Sequence, residues 1–196
     1  LMKRTLTFLF FILFISNLVL AQQFVRIGTL PLPGTGETGF GNIIAGLDLD
    51  NDGKPEIYAV NNNWNDAGPE LIPKLFKFEY DGLLGWNLVW QATLPVPLQN
   101  TWPALTYGDW DNDGRKEIIW GPVNFTGSTN PNPPRIVVYE YSGSGDALGV
   151  PDPNVPGNFL PNAKWSITST DNFNLRPIRW ELVDFTGDGN KELVYV

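Results

Sequence analysis

The chain has 196 residues, a formal net charge of -8, and neither cysteine nor histidine. That composition excludes disulfides, thiolate nucleophiles, zinc sites built from Cys and His, and every base or triad that depends on imidazole. Nothing resembles a basic stripe, so nucleic acid is not an expected partner, and the length suits one ordinary domain with its own core.

Met2-Lys3-Arg4 and the apolar run from Leu6 to Leu20 read as the positive and apolar regions of a signal peptide. Val19-Leu20-Ala21 ends on a small residue, which places cleavage after Ala21 and makes residues 1–21 the leader. Ser16-Asn17 interrupts the run, which is short against the roughly 20 residues of a membrane span. A retained anchor is the alternative reading. The mature chain is therefore expected to be exported, secreted or at the cell surface, with no membrane span of its own.

Phe24 to Leu30 reads as a strand ending in Pro31-Leu32-Pro33, and Leu88 to Leu94 as a similar strand before Pro95-Val96-Pro97. Short apolar segments follow, Ile43 to Leu47 and Ala104 to Gly108, with a bulkier third at Ile178 to Val183. Each runs into an acidic loop, and each loop runs into a β-branched or aromatic segment: Ile57 to Val60, Ile118 to Trp120, and Leu193 to Val196. These segments are too short for helices. A further strand, Lys74 to Gly82, aligns without a gap on Arg135 to Gly143, each ending in Glu-Tyr, one residue and a turn glycine. Asn61 to Pro73 and Gly121 to Pro134, rich in Asn, Gly and Pro, are expected to be loops.

The first loop aspartates, Asp48, Asp109 and Asp184, are spaced by 61 and then 75 residues. The extra length falls in Ser144 to Ala163, before a last strand near Trp165-Ser166-Ile167. That insertion reads either as a partner-specific loop or as a disordered one. The pattern predicts an all-β chain in which one unit is four antiparallel strands, repeated with no independent core. Such units stack radially into a β-propeller. An orphan N-terminal strand, two whole blades and the start of a third are expected, the rest being supplied by the remaining blades of a longer chain.

The three loops are Asp48 to Glu56, Asp109 to Glu117 and Asp184 to Glu192, and they hold 11 of the 21 acidic residues. Carboxylates at alternate positions of so tight a loop repel one another unless a cation lies among them. Gly53, Gly114 and Gly189 supply the left-handed turn that aims the side chains inward.

Asp-x-Asp-x-Asp-Gly-x-x-Glu, flanked by strands and followed by Ile or Leu, resembles the FG-GAP/VCBS repeat, the calcium-loop blade of integrin-α-type β-propellers. The resemblance implies that side chains at loop positions one, three, five and nine, with the carbonyl at seven, bind calcium. In the first loop these are Asp48, Asp50, Asp52 and Glu56 with the Lys54 carbonyl. In the second they are Asp109, Asp111, Asp113 and Glu117 with the Arg115 carbonyl, and in the third Asp184, Thr186, Asp188 and Glu192 with Asn190. Two departures stand out. Position nine is Glu where Asp is common, and Thr186 replaces a carboxylate, so the third site is expected to be the weakest of the three. An EF-hand or dockerin reading needs an acidic residue at position twelve and a following helix, but Ala59, Trp120 and Tyr195 stand there.

Leu49, Trp110 and Phe185, at loop position two, are expected to pack between blades. Tyr80 and Tyr141 recur in register and read as core or inter-blade contacts, and Trp64, Trp86 and Trp102 as rim packing or a sugar-stacking surface. Asn124-Phe125-Thr126 is formally a glycosylation sequon. The resulting expectation is an adhesion or ligand-binding module for protein or carbohydrate, with structural calcium and no catalytic residues. The alternatives are a calcium-dependent polysaccharide lyase, which would rely on carboxylate, Lys, Arg or Tyr chemistry, and a purely structural repeat scaffold.

Overall fold

A computed structural model of the chain describes residues 26, 28–34, 39–62, 72–94, 103–122, 134–166 and 177–196. The leader, the sequon, Trp64 and Trp102 lie outside them. Every regular element among the described residues is a β-strand. The first sheet contains β1 (Phe40–Leu47), β2 (Glu56–Asn61), β3 (Lys74–Tyr80) and β4 (Trp86–Thr93), in that spatial order and antiparallel throughout. The second contains β5 (Ala104–Gly108), β6 (Glu117–Gly121), β7 (Ile136–Glu140) and, on its far edge, β10 (Ala163–Trp165). A third unit contributes the hairpin β11 (Trp180–Val183) and β12 (Glu192–Tyr195). Four strands per repeat, in meander order, is the arrangement that the spacing predicts, and the sheets are blades of an unclosed propeller.

Strand alternation explains how the sheets stack, because successive side chains point to opposite faces. Tyr58, Val60 and Leu75 of the first sheet share one buried cluster with Trp120, Val137 and Tyr139 of the second. The opposite face of the second sheet, through Ile119 and Val138, packs on Trp180 and Leu182 of the third unit. On its other side the first sheet presents Ala59, Phe76 and Phe78, against which Leu30 and Phe40 pack. Inner strands are thus covered on both faces, and β6 is buried at all five positions.

Two expectations are corrected. The N-terminal segment supplies no strand among its described residues: Arg26 and Gly28 to Leu30 are not in a sheet, and Leu30 packs as an apolar cover on the first sheet. Of the two readings of the insertion, the disordered one is overturned. The insertion holds a short hairpin, β8 (Val150–Pro151) with β9 (Phe159–Leu160), and a bridge from Tyr141 to Leu148. Leu148 is fully buried in the cluster between the first two sheets. Phe159 packs on Trp90 of β4 with ring centroids 5.7 Å apart, and Trp90 meets Tyr139 edge-on at 5.5 Å. Apolar residues hidden in a Gly/Pro/Asn-rich stretch decide its fate.

Candidate metal centre

The turn between the first two strands of each unit is built by one set of hydrogen bonds. The N–H of position two donates to the Glu at position nine: Leu49 to Glu56 at 2.8 Å, Trp110 to Glu117 at 2.6 Å, and Phe185 to Glu192 at 2.7 Å. The glycine N–H at position six donates to the first aspartate: Gly53 to Asp48, Gly114 to Asp109 and Gly189 to Asp184, all at 2.9–3.2 Å. The N–H at position seven donates to position five, from Lys54, Arg115 and Asn190 to Asp52, Asp113 and Asp188, each at 2.8 Å. Asp52 and Asp188 are held below the usual carboxylate range, Asp52 chiefly by the Lys54 ammonium and Asp188 by the Asn190 N–H.

The backbone needs a left-handed residue twice in each loop. Gly53, Gly114 and Gly189 have φ of 87–90°, as the sequence predicts, and position four is left-handed as well: Asn51 at 58°, Asn112 at 61° and Gly187 at 76°. Asn tolerates that region because its short amide bonds locally. Asn-x-Gly at positions four to six was the readable signal for this second turn.

The second cluster is brought together whole, the first without Asp52, and the third through its three carboxylates. Ligand atoms of Asp109, Asp111, Asp113 and Glu117 all lie within 4.8 Å of one another, as do those of Asp48, Asp50 and Glu56, and of Asp184, Asp188 and Glu192. Asp52 stands apart from the first cluster and pairs with Lys54 at 2.7 Å. Thr186 sits beside its loop's glutamate, donating from Oγ1 to Glu192 Oε1 at 3.3 Å. The Lys54 and Arg115 side chains reach across to the third strand, Lys54 to Glu79 at 2.7 Å and Arg115 to Glu140 at 2.9 Å. Glu79 and Glu140 therefore brace the loops, a role that the repeated Glu-Tyr motif did not disclose.

The second loop gathers four carboxylates, the most of any loop among the described residues. Its Asp109 Oδ1 and Glu117 Oε1 are buried without a hydrogen-bond partner, as are Asp48 Oδ1 and Glu56 Oε1 of the first loop. Burial, reinforced by Asp111, Asp109 and Glu140 against the Trp110 N–H, pushes the Glu117 carboxyl up to about 7. Buried oxygens of this kind cost stability unless something pairs with them, and hard alternating carboxylates suit a calcium ion. The donor set therefore fits calcium.

In the first loop the Lys77 ammonium reaches the cluster, 2.6 Å from Asp50 and 2.7 Å from Glu56, with its side chain 1% exposed. It also meets Asp146 of the insertion at 3.0 Å. Lys77 is a site residue that sequence reading passed over, since it stands in a strand among apolar neighbours. A small cleft of about 140 Å³ opens beside it, lined by Asp50, Lys54, Glu79, Tyr141 and Asp146. The third loop is the most open, with Asp184 and Asp188 exposed.

Position two divides the loops in the same order. Leu49 is buried between the first two sheets. Trp110 is half-buried, donates from Nε1 to the Lys191 carbonyl at 2.9 Å and packs on Trp165 at 5.5 Å. Phe185 is 77% exposed, contrary to the inter-blade packing expected of it, because no described element covers that end of the third unit. The second and third loops also touch directly, through Asn112 to the Gly189 carbonyl at 3.4 Å and Lys191 Nζ to the Asp109 carbonyl. Tyr80 and Trp86 pack on each other at 5.4 Å. Tyr141 is half-buried, and its bridge to Leu148 lies within its own repeat.

Residues 48–120 match the family model of the FG-GAP-like repeat, from the first aspartate of the first loop to the strand after the second. Neither curated proteins nor solved structures gave a match.

Proposed function

The chain carries an FG-GAP-like repeat over residues 48–120, and on that premise we propose that it is an exported, calcium-binding propeller segment serving as an adhesion or ligand-binding module. Calcium is held by the acidic loops and is structural. The observation that carries this reading is the second loop, where four carboxylates converge and two of their buried oxygens lack partners. Asp109, Asp111, Asp113 and Glu117 supply the side-chain oxygens there, and the Arg115 carbonyl completes the set. The ion replaces the repulsion among these groups with attraction and locks the β5–β6 turn. The loop is also tied to the third unit through Trp110 and Asn112, so the ion steadies neighbouring blades together. The rigid rim so formed is what a protein or carbohydrate partner would dock on.

Thermal melting of the purified chain with calcium or with chelator tests the metal. At a free concentration 100 times the dissociation constant, each intact site adds about 2.7 kcal/mol. No rise in melting temperature at millimolar calcium overturns the reading. The module role is tested by binding to immobilised glycans and matrix proteins, with calcium and with chelator. Retention on none of them, or retention indifferent to chelator, counts against it. Export is checked by fractionating cells that express the chain from its own start.

A further inference from the structure

The first and second loops share their backbone bonds but differ in what faces their glutamate. Lys77 lies opposite Tyr58 across β2 and β3, and Val138 lies opposite Ile119 across β6 and β7, so Lys77 and Val138 hold the same place in two successive repeats. Around Glu56 the first repeat supplies an ion-pair partner, the Lys77 ammonium 2.7 Å from Oε1, and one donor, the Tyr58 hydroxyl, 3.0 Å from Oε2. Around Glu117 the second supplies Val138 and Ile119, which donate nothing.

The lysine takes up two of the carboxylates that an ion in this loop would need. Calcium holds its oxygens at about 2.3–2.6 Å, and Nζ lies 2.6 Å from Asp50 Oδ2 and 2.7 Å from Glu56 Oε1. A divalent ion bound to those two carboxylates would displace the ammonium from its partners. Nζ is buried, and its third contact, Asp146 at 3.0 Å, belongs to the insertion. Displacement would leave a buried ammonium facing a doubly charged ion, with one carboxylate left to share.

We infer that the first loop carries its own cation: the Lys77 ammonium neutralises Asp50 and Glu56, closes that loop to calcium, and leaves the second loop as the principal metal site. The same ammonium clamps the insertion of the second repeat to the first blade through Asp146. A metal-loop sequence has here become an inter-blade ion-pair network, and one residue on a neighbouring strand decides which. The inference leans on the calcium reading of the second loop for its contrast, but it is tested separately.

The experiment counts calcium ions by equilibrium dialysis on the full purified chain, in wild type and in Lys77→Met, with circular dichroism to confirm folding. Lys77→Met is expected to bind one more calcium than wild type, and to melt lower than wild type in chelator but recover in calcium. In a wild-type background, Asp48→Asn is expected to leave the count unchanged, because its loop takes no ion. Equal counts in wild type and folded Lys77→Met overturn the inference, as does loss of one ion on Asp48→Asn. If Lys77→Met does not fold, the Asp48→Asn count decides alone. No ion in wild type with one in Lys77→Met would sink the calcium reading of the second loop and leave this inference standing.

Discussion

Gly121 of β6 lies directly beneath Trp180 of β11: a Cβ built on the glycine would stand 2.4 Å from the indole ring. Gly108, at the far end of β5, has the same relation to Leu182 at 2.5 Å. The second sheet thus meets the third unit by close approach of bare backbone to large side chains, whereas the first two sheets meet through a thick apolar layer. The two junctions respond differently to substitution.

Gly121→Ala forces a methyl into the indole, and overpacking of this kind costs about 1–3 kcal/mol. The expected result is early loss of the third unit while the first two sheets hold. Trp180 fluorescence is obscured by seven other tryptophans, so hydrogen exchange is the better measure. Faster exchange confined to β11 and β12 is predicted. Uniform loosening of all sheets would show that the junction is not a separable layer.

Asn158 fastens the insertion to the first blade. Its Oδ1 accepts from the Thr93 N–H at 2.9 Å, and its Nδ2 donates to the Thr93 carbonyl at 3.3 Å and to Asp152 at 3.2 Å. Thr93 ends β4, so this side chain extends the ladder of an edge strand that otherwise leaves its groups to water. Asn158→Ala removes the pairings, at about 1–3 kcal/mol for the groups left unsatisfied. Limited proteolysis should then cut within residues 150–160 sooner than in wild type. Unchanged cleavage kinetics would mean that Phe159 and Leu148 alone hold the segment.

The repeat was legible because three of its signals are local. Loop carboxylates, turn glycines and the gapless match of Lys74–Gly82 to Arg135–Gly143 each depend on residues near one another in sequence, and need no distant contact to be read. The insertion was not legible, since what orders it is Leu148 and Phe159 meeting Trp90 and Tyr139 from other parts of the chain. The same limit hid Lys77. A lysine in an alternating strand reads as solvent-facing, and only the stacking of the second repeat on that face reveals the buried pocket of acids around it.

Breaking that network from the lysine side is costly. Lys77→Met strands Asp50 and Glu56, whose side chains are 5% and 0% exposed, without a counter-charge. Loss of one partner from a buried pair costs about 3–5 kcal/mol. Asp146→Asn is milder, because Asp146 is half-exposed and Lys77 keeps its other two partners. Chemical denaturation in chelator should therefore rank wild type above Asp146→Asn and that above Lys77→Met. A reversed order of the two variants would place the main anchor in the insertion instead of the loop.

Glu117 makes the second loop sensitive to pH, with opposite signs in the two metal states. Its carboxyl is raised from an ordinary value of 4.5 to about 7 by burial and by Asp111 and Asp109. In chelator, a group raised in this way stabilises the fold fully below the unfolded value of 4.5, and that contribution is lost as pH rises through about 7. The metal-free chain should be more stable at pH 5.5 than at pH 8, by at most about 3 kcal/mol. Calcium needs the carboxylate, so binding displaces the proton, and apparent affinity should fall about tenfold per pH unit below 7. Melting in chelator and calcium titration, each at pH 5.5 and pH 8, read the two slopes. Glu117→Gln should flatten both, at a cost in calcium affinity. If both slopes persist in Glu117→Gln, the proton sits elsewhere in the cluster, and the orphaned oxygen of Asp109 is the next group to test.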